Sequence, residues 1–200
     1  MMEGIGSLYL APRLHALQSA HPLVTLELVT SAHPFNLSRR EADLFLSFFK
    51  PSGRGLWVRK IGEFELSLYA SPAYLKQYGI PASVDDLQEH CFVDYIDDLV
   101  AIDAVRWLSD VIKSPRVVFH SNSMIAQQHA AIGGLGLVLL PSFAAAGERR
   151  LQKIVIKGVS VKREVWLSVH RDLQDVPRIR VLTKFLSDLV AADQDFLLGR

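Results

Sequence analysis

Ser121-Asn122-Ser123 places three small polar side chains between an apolar strand signal, Val117–His120, and an amphipathic stretch, Met124–Ile132. That order predicts a strand followed by a helix N-terminus, whose first backbone N–H groups lack intrahelical acceptors and favour a small anion. One cap needs only one of the three groups, so the surplus points to a ligand. Ser7 opens another predicted helix in the same way and can act as N-cap, as ligand group, or as both. Ser31 and His33 follow an alternating stretch, Val24–Thr30, at the end of a strand, where α/β sheets present ligands. The ordinary reading of His33 is a solvated loop histidine. Pro141 and Phe143 close a buried apolar run, Leu137–Pro141, and Phe143 suits a cleft wall and a packed core equally. These donors together fit a small carboxylate or a polar metabolite, and nothing in the residue types selects one.

The same residues argue against catalysis. Gly133-Gly134-Leu135-Gly136 has the composition of a phosphate loop, but it follows a helix and precedes a strand. That is the reverse of a dinucleotide fingerprint and reads as a helix C-cap with a turn. Gly4-Ile5-Gly6-Ser7 lacks the flanking glycines of a nucleophile elbow. His120 next to Ser121 and Ser123 resembles a base beside nucleophiles, yet strand alternation turns His120 away from at least one of them. The seven histidines are scattered without paired metal-ligand spacing. Asp94, Asp97, Asp98 and Asp103 read as a solvated acidic loop. The expectation is a binding protein that is not an enzyme and needs no cofactor or metal.

Composition sets wider bounds. Half of the 200 residues are apolar, enough for a substantial core. A net charge of +1, with Lys and Arg dispersed, gives no stripe for nucleic acid. A single cysteine, Cys91, excludes an internal disulfide and a cysteine-cluster metal site. No apolar run has the length of a bilayer span, and Met1–Gly6 does not open like a signal peptide. A cytoplasmic chain that makes no membrane contact is expected.

The elements that must position the polar groups alternate. A helix over Ser7–Ala20 carries Leu10, Leu14 and Leu17 on one face, and a half-buried strand covers Val24–Thr30. A short helix at Leu37–Glu41 leads into a strand at Asp43–Phe49. Val58–Ile61 and Leu66–Ala70 are two strands parted by Gly62-Glu63. Ser71-Pro72 opens a helix that Gly79 closes. A short helix from Ser83 or Asp85-Asp86 ends near His90, and Cys91–Tyr95 is a strand. Ile96–Lys113 reads either as a helix around Asp98–Val111 or as a loop plus strand. Arg116–His120, Leu135–Leu140, Leu151–Ile156 and Glu164–Val169 are strands, and Pro177–Ala192 is a long amphipathic helix. Helices alternating with strands throughout predict an α/β architecture.

Several stretches, in order, resemble one family. Gly4-Ile5-Gly6-Ser7 with Leu10-Ala11-Pro12-Arg13-Leu14 and His21-Pro22 is similar to the opening of the effector-binding domain of LysR-type transcriptional regulators, just after its first strand. Leu37–Leu44 resembles that family's short helix entering a strand, and Ala70-Ser71-Pro72-Ala73-Tyr74-Leu75 its crossover. Ser121–Ser123 through Pro141-Ser142-Phe143, and Val176–Arg180 through Phe185-Leu186, resemble its later elements. The resemblance implies a two-lobed fold like type II periplasmic binding proteins, with two crossover strands. Lobe I would comprise residues 1–69 with 168–200, and lobe II residues 70–167. A small effector would sit between the lobes, touching Ser7, Ser31, His33, Ser121, Asn122, Ser123, Pro141 and Phe143.

Two departures from the family accompany the resemblance. The winged helix-turn-helix that normally precedes this domain is absent, so DNA would be reached only through a module outside these residues. The domain's first strand is missing or reduced to Met1-Met2-Glu3, which would leave neighbouring ladder bonds unmade. A shortened chain or a start codon assigned too late is therefore expected. Spare apolar residues on the helices at Ser7–Ala20 and Met124–Ile132 suggest an interface, and the resemblance implies a homodimer through them. The competing expectation is a standalone or periplasmic-type small-molecule binding protein of the same fold.

Overall fold

The computed structural model describes residues 1–30, 42–97 and 106–200. Residue contacts divide the chain into two compact units. Unit 1 holds Met1–Phe64, Arg163–Leu198 and Arg200, and unit 2 holds Glu65–Lys162 with Gly199. The strands of unit 1 are β1 (Leu44–Ser47), the first part of β2 (Leu56–Ala70) and most of β7 (Val161–His170). β1 pairs antiparallel with β7, Leu44 opposite Val169 and Ser47 opposite Trp166, and β7 neighbours β2. In unit 2, the second part of β2 lies between β5 (Leu137–Pro141) and β6 (Gln152–Ile154), antiparallel to both. β5 continues to β3 (Cys91–Asp94) and β3 to β4 (Arg116–His120), both pairings being parallel.

Parallel strands β4 and β5 need a crossover, and α3 (Met124–Ile132) supplies it. The α/β architecture expected from alternation is present. β5 is buried at every position, as a strand covered on both faces must be. Gly133 and Gly134 end α3, with Gly134 at φ +86° and Leu135 N–H donating back to the Ala130 carbonyl. The glycine cluster is thus the helix stop that its position implied. Gly136 has a separate task, because a Cβ there would stand 2.5 Å from the Cys91 carbonyl oxygen. Only glycine allows β5 to begin so close to β3.

In unit 1 the long helix α5 (Pro177–Ala192) buries Ile179, Leu186 and Val190, and the short α6 (Gln194–Leu197) follows it. The N-terminal helical run is held against their junction. Tyr9 stacks on Phe196 with ring centres 6.4 Å apart, and the Arg13 guanidinium lies over both rings. Arg13 Nε also donates to Asp193 Oδ2 at 2.8 Å.

Four expectations are corrected or bounded. β2 is one continuous strand through Gly62-Glu63, not two strands separated there. Gly62 is there for packing: a Cβ would stand 2.4 Å from Val190 Cγ1, and the neighbouring Glu63 carbonyl accepts from Gln194 Nε2 at 2.8 Å. Val24–Thr30 keeps its period-two burial but is not a strand, because no ladder partner stands beside it among the described residues. Residues 106–113 hold a 3-10 turn at Leu108–Asp110 in place of a longer helix or strand. The Leu37–Glu41 helix and most of the Asp98–Val111 alternative lie outside the described residues.

Candidate functional site

The polar cluster of unit 2 is built at the junction of β4 and α3. Ser123 is the N-cap of α3 in extended conformation, its Oγ accepting from Ala126 N–H at 3.2 Å. Ser121 Oγ accepts from Ser123 N–H at 3.1 Å, and Ser121 N–H donates to the Asp94 carbonyl at 3.0 Å. Two of the three polar side chains therefore shape the turn into the helix, a larger structural share than one cap requires. Asn122 is exposed, and its side chain makes no hydrogen bond among the described residues. It is the member of the trio with its amide available to a ligand.

Two glutamines that the sequence reading passed over brace this corner. Gln127 Nε2 donates to the Ser121 carbonyl at 2.8 Å, and Gln128 Nε2 to the Ala144 carbonyl at 2.7 Å. Both side chains are buried, which costs free energy unless such bonds are made. The second bond ties α3 to α4 (Ser142–Ala145), the short helix after β5. The pair of amides in the middle of α3, on its buried side, was the available signal. Pro141 and Phe143 sit on this braced segment, both buried, Phe143 only 3% exposed. Unit 2 thus gathers Ser121, Asn122, Ser123, Pro141 and Phe143 in one framework joined by Gln127 and Gln128.

His120 does not face the serines as a base would. Its Nδ1 lies 3.0 Å from the Tyr95 carbonyl. Burial pushes the Asp94 carboxyl above its ordinary value, with repulsion from Asp97 acting in the same direction. Among the described residues, no three His, Cys, Asp or Glu side chains group as a metal site.

Ser7 belongs to unit 1 and does not cap a helix. The helical run already includes Glu3 and Gly4, and Ser7 lies inside a π-helical turn, Ile5–Leu10. Gly4 has helical angles, and Gly6 N–H bonds to the Met2 carbonyl. The helix therefore continues backward past Ser7, through a wide π-helical turn. Ser31 and His33 lie outside the described residues.

Residues 1–191 match the family model for the LysR substrate binding domain. The chain belongs to that family. Among curated proteins, it is 32% identical over 145 residues to an uncharacterized HTH-type transcriptional regulator of Haemophilus influenzae, covering 69% of this chain and 49% of that protein. It is 24% identical over 193 residues to the Mau operon transcriptional activator of Paracoccus denitrificans, covering 95% of this chain and 63% of that protein. This LysR domain therefore spans about half to two thirds of the length of these relatives.

Among solved structures, the regulatory domain of CrgA from Neisseria meningitidis superposes with a TM-score of 0.79 at 21% identity, covering 94% of each chain. The effector domain of AmpR from Pseudomonas aeruginosa gives 0.77 at 18% identity, covering 96% of this chain and 94% of that one. The fold is accordingly the two-lobed, periplasmic-binding-protein-like fold of LysR regulatory domains. This chain is a LysR substrate-binding domain, homologous to the effector-binding domains of LysR-type regulators. No helix among the described residues is long and apolar enough to cross a membrane.

Proposed function

We propose that this domain senses a small anionic effector, a carboxylate by preference, on behalf of a DNA-binding regulator. The observation that carries the reading is the corner at the start of α3, where Ser121 and Ser123 set the backbone and leave the exposed Asn122 amide beside a helix N-terminus. Residues 1–69 with 168–200 and residues 70–167 act as two lobes, each carrying candidate effector groups. Ser7 would come from the first, and Asn122, Ser123, Pro141 and Phe143 from the second, with Ser31 and His33 as further candidates. An effector shifts the arrangement of such lobes only through unequal affinity for the alternatives. The output goes to DNA through a module outside these residues, in a cytoplasmic homodimer.

The names of the relatives, which describe transcriptional regulators, support this reading. So does the half-buried apolar surface of Ile125 and Ile132 on α3 and of Leu8 in the N-terminal run, which suits a dimer contact. The test is a thermal-shift series with small mono- and dicarboxylates. A ligand at a hundredfold its Kd should stabilise the domain by about 2.7 kcal/mol. Asn122→Ala should remove most of that shift while leaving the ligand-free Tm nearly unchanged. A shift of equal size in Asn122→Ala and Ser7→Ala would refute the site, and the absence of any saturable shift would refute the carboxylate class.

A further inference from the structure

Five of the chain's 22 Lys and Arg fall within residues 149–162 of unit 2, a stretch without Asp or Glu, whereas the other 17 share the chain with 21 acids. This stretch contains β6, whose one ladder neighbour among the described residues is β2, with Lys153 opposite Tyr69. β5 occupies the other side of β2 at Leu66–Tyr69. The outer edge of β6 therefore presents backbone donors and acceptors with no strand beside them among the described residues.

Burial alternates from Lys153 to Lys157. Ile154 and Ile156 are buried, and Lys153, Val155 and Lys157 are exposed, Val155 by 79%. A turn follows, in which Val159 N–H donates to the Ile156 carbonyl. Arg149, Arg150 and Lys162 are exposed on either side of this row. Arg150 pairs with Glu148 at 2.6 Å and Lys153 with Glu65 at 3.4 Å, whereas Arg149 and Lys157 make no ion pair among the described residues. Lysines on an edge strand ordinarily keep it from pairing with another chain. An exposed valine between two of them has no part in that defence. The row thus presents cation, apolar group and cation at every second residue, roughly 6.7 Å apart along a strand.

We propose that the outer edge of β6 is a docking site for an extended, acidic segment of another protein, in which an apolar residue has Asp or Glu two positions away on each side. Its carboxylates meet Lys153 and Lys157, its apolar side chain covers Val155, and its backbone bonds to the edge of β6, as in strand addition. Arg149 and Lys162 add to the local positive potential, which draws in an acidic chain and repels a second copy of this stretch. A nucleic acid fits less well. Residues 149–162 hold no aromatic ring on which to stack a base, and a phosphate chain offers nothing to cover Val155.

The test titrates the 200-residue chain with the peptide Thr-Glu-Thr-Val-Thr-Glu-Thr and follows the backbone amides by NMR. Saturable binding with shifts centred on residues 152–157 is expected, and no saturation up to about 1 mM overturns the proposal. The same composition in the order Glu-Glu-Val-Thr-Thr-Thr-Thr should bind about tenfold or more weakly, because the alternation is lost. Equal affinity of the two peptides would mean diffuse charge attraction and would overturn the site. Lys157→Glu and Val155→Asp, both at exposed positions, should each weaken binding about tenfold. Lys76→Glu makes the same charge change at an exposed lysine elsewhere in unit 2 and should leave affinity unchanged at physiological salt. A loss in Lys76→Glu equal to that in Lys157→Glu contradicts the proposal. So does a single-stranded oligothymidine that displaces the peptide and binds more tightly, since nucleic acid would then be the occupant.

Discussion

Leu137–Pro141 in unit 2 and Val24–Thr30 in unit 1 are comparable apolar stretches with opposite outcomes. The first is a fully buried strand with a neighbour on each edge, β2 and β3. The second has alternating burial and no ladder partner among the described residues. Side-chain pattern decides which face of a segment is apolar, whereas a strand also requires backbone partners at about 4.8 Å. Unit 2 carries those partners within its own sequence. In unit 1 a cavity borders residues 24–29, and the N-terminal residues from Glu3 on are helical.

The largest expected effect breaks the completed side of the comparison. Gly136→Ala drives a Cβ into the Cys91 backbone, which has no flexible end to move away. It should cost about 3 kcal/mol or unfold unit 2, read by denaturant titration. Gly62→Ala perturbs unit 1 less, because the clashing atoms are the Val190 and Gln194 side chains. A loss of about 1–2 kcal/mol is expected there. A cost equal to that of Gly136→Ala would show unit 1 to be packed as rigidly as unit 2.

Ser123→Ala removes the α3 cap and should cost about 1 kcal/mol. Asp94→Asn gives the smallest effect and a distinctive pH signature. Because burial raises this carboxyl in the folded protein, the native state holds the proton more tightly, and stability falls as pH rises from the ordinary carboxylate value through the raised one. The asparagine variant should lose that decline and be slightly more stable at neutral pH. Tm values from pH 3.5 to 7 check this, and a variant parallel to the parent throughout contradicts the buried carboxyl.

Much of the element order was legible because local chemistry agrees with the fold. Ser71 caps α2 (Pro72–Tyr78) through Tyr74 N–H, Gly79 closes it at φ +89°, and α5 begins at Pro177 as its composition implies. The misreadings came from tertiary demands. Gly62-Glu63 looked like a break between two strands, but the missing side chain of Gly62 makes room for α5 and α6. Ser7 looked like a cap, but the helix extends past it. The candidate site was legible in part: Ser121–Ser123 stand where the pattern put them, whereas the bracing by Gln127 and Gln128 depends on carbonyls at residues 121 and 144 that no local pattern brings near.

Backbone amide hydrogen exchange on the 200-residue chain tests the contrast between the two units most directly. Amides of residues 138–140 should exchange only through large-scale unfolding, and those of residues 25–29 about a hundredfold faster or more, near the rate of an open loop. Comparable protection of the two segments would contradict the account, because it would mean that Val24–Thr30 already has a ladder partner.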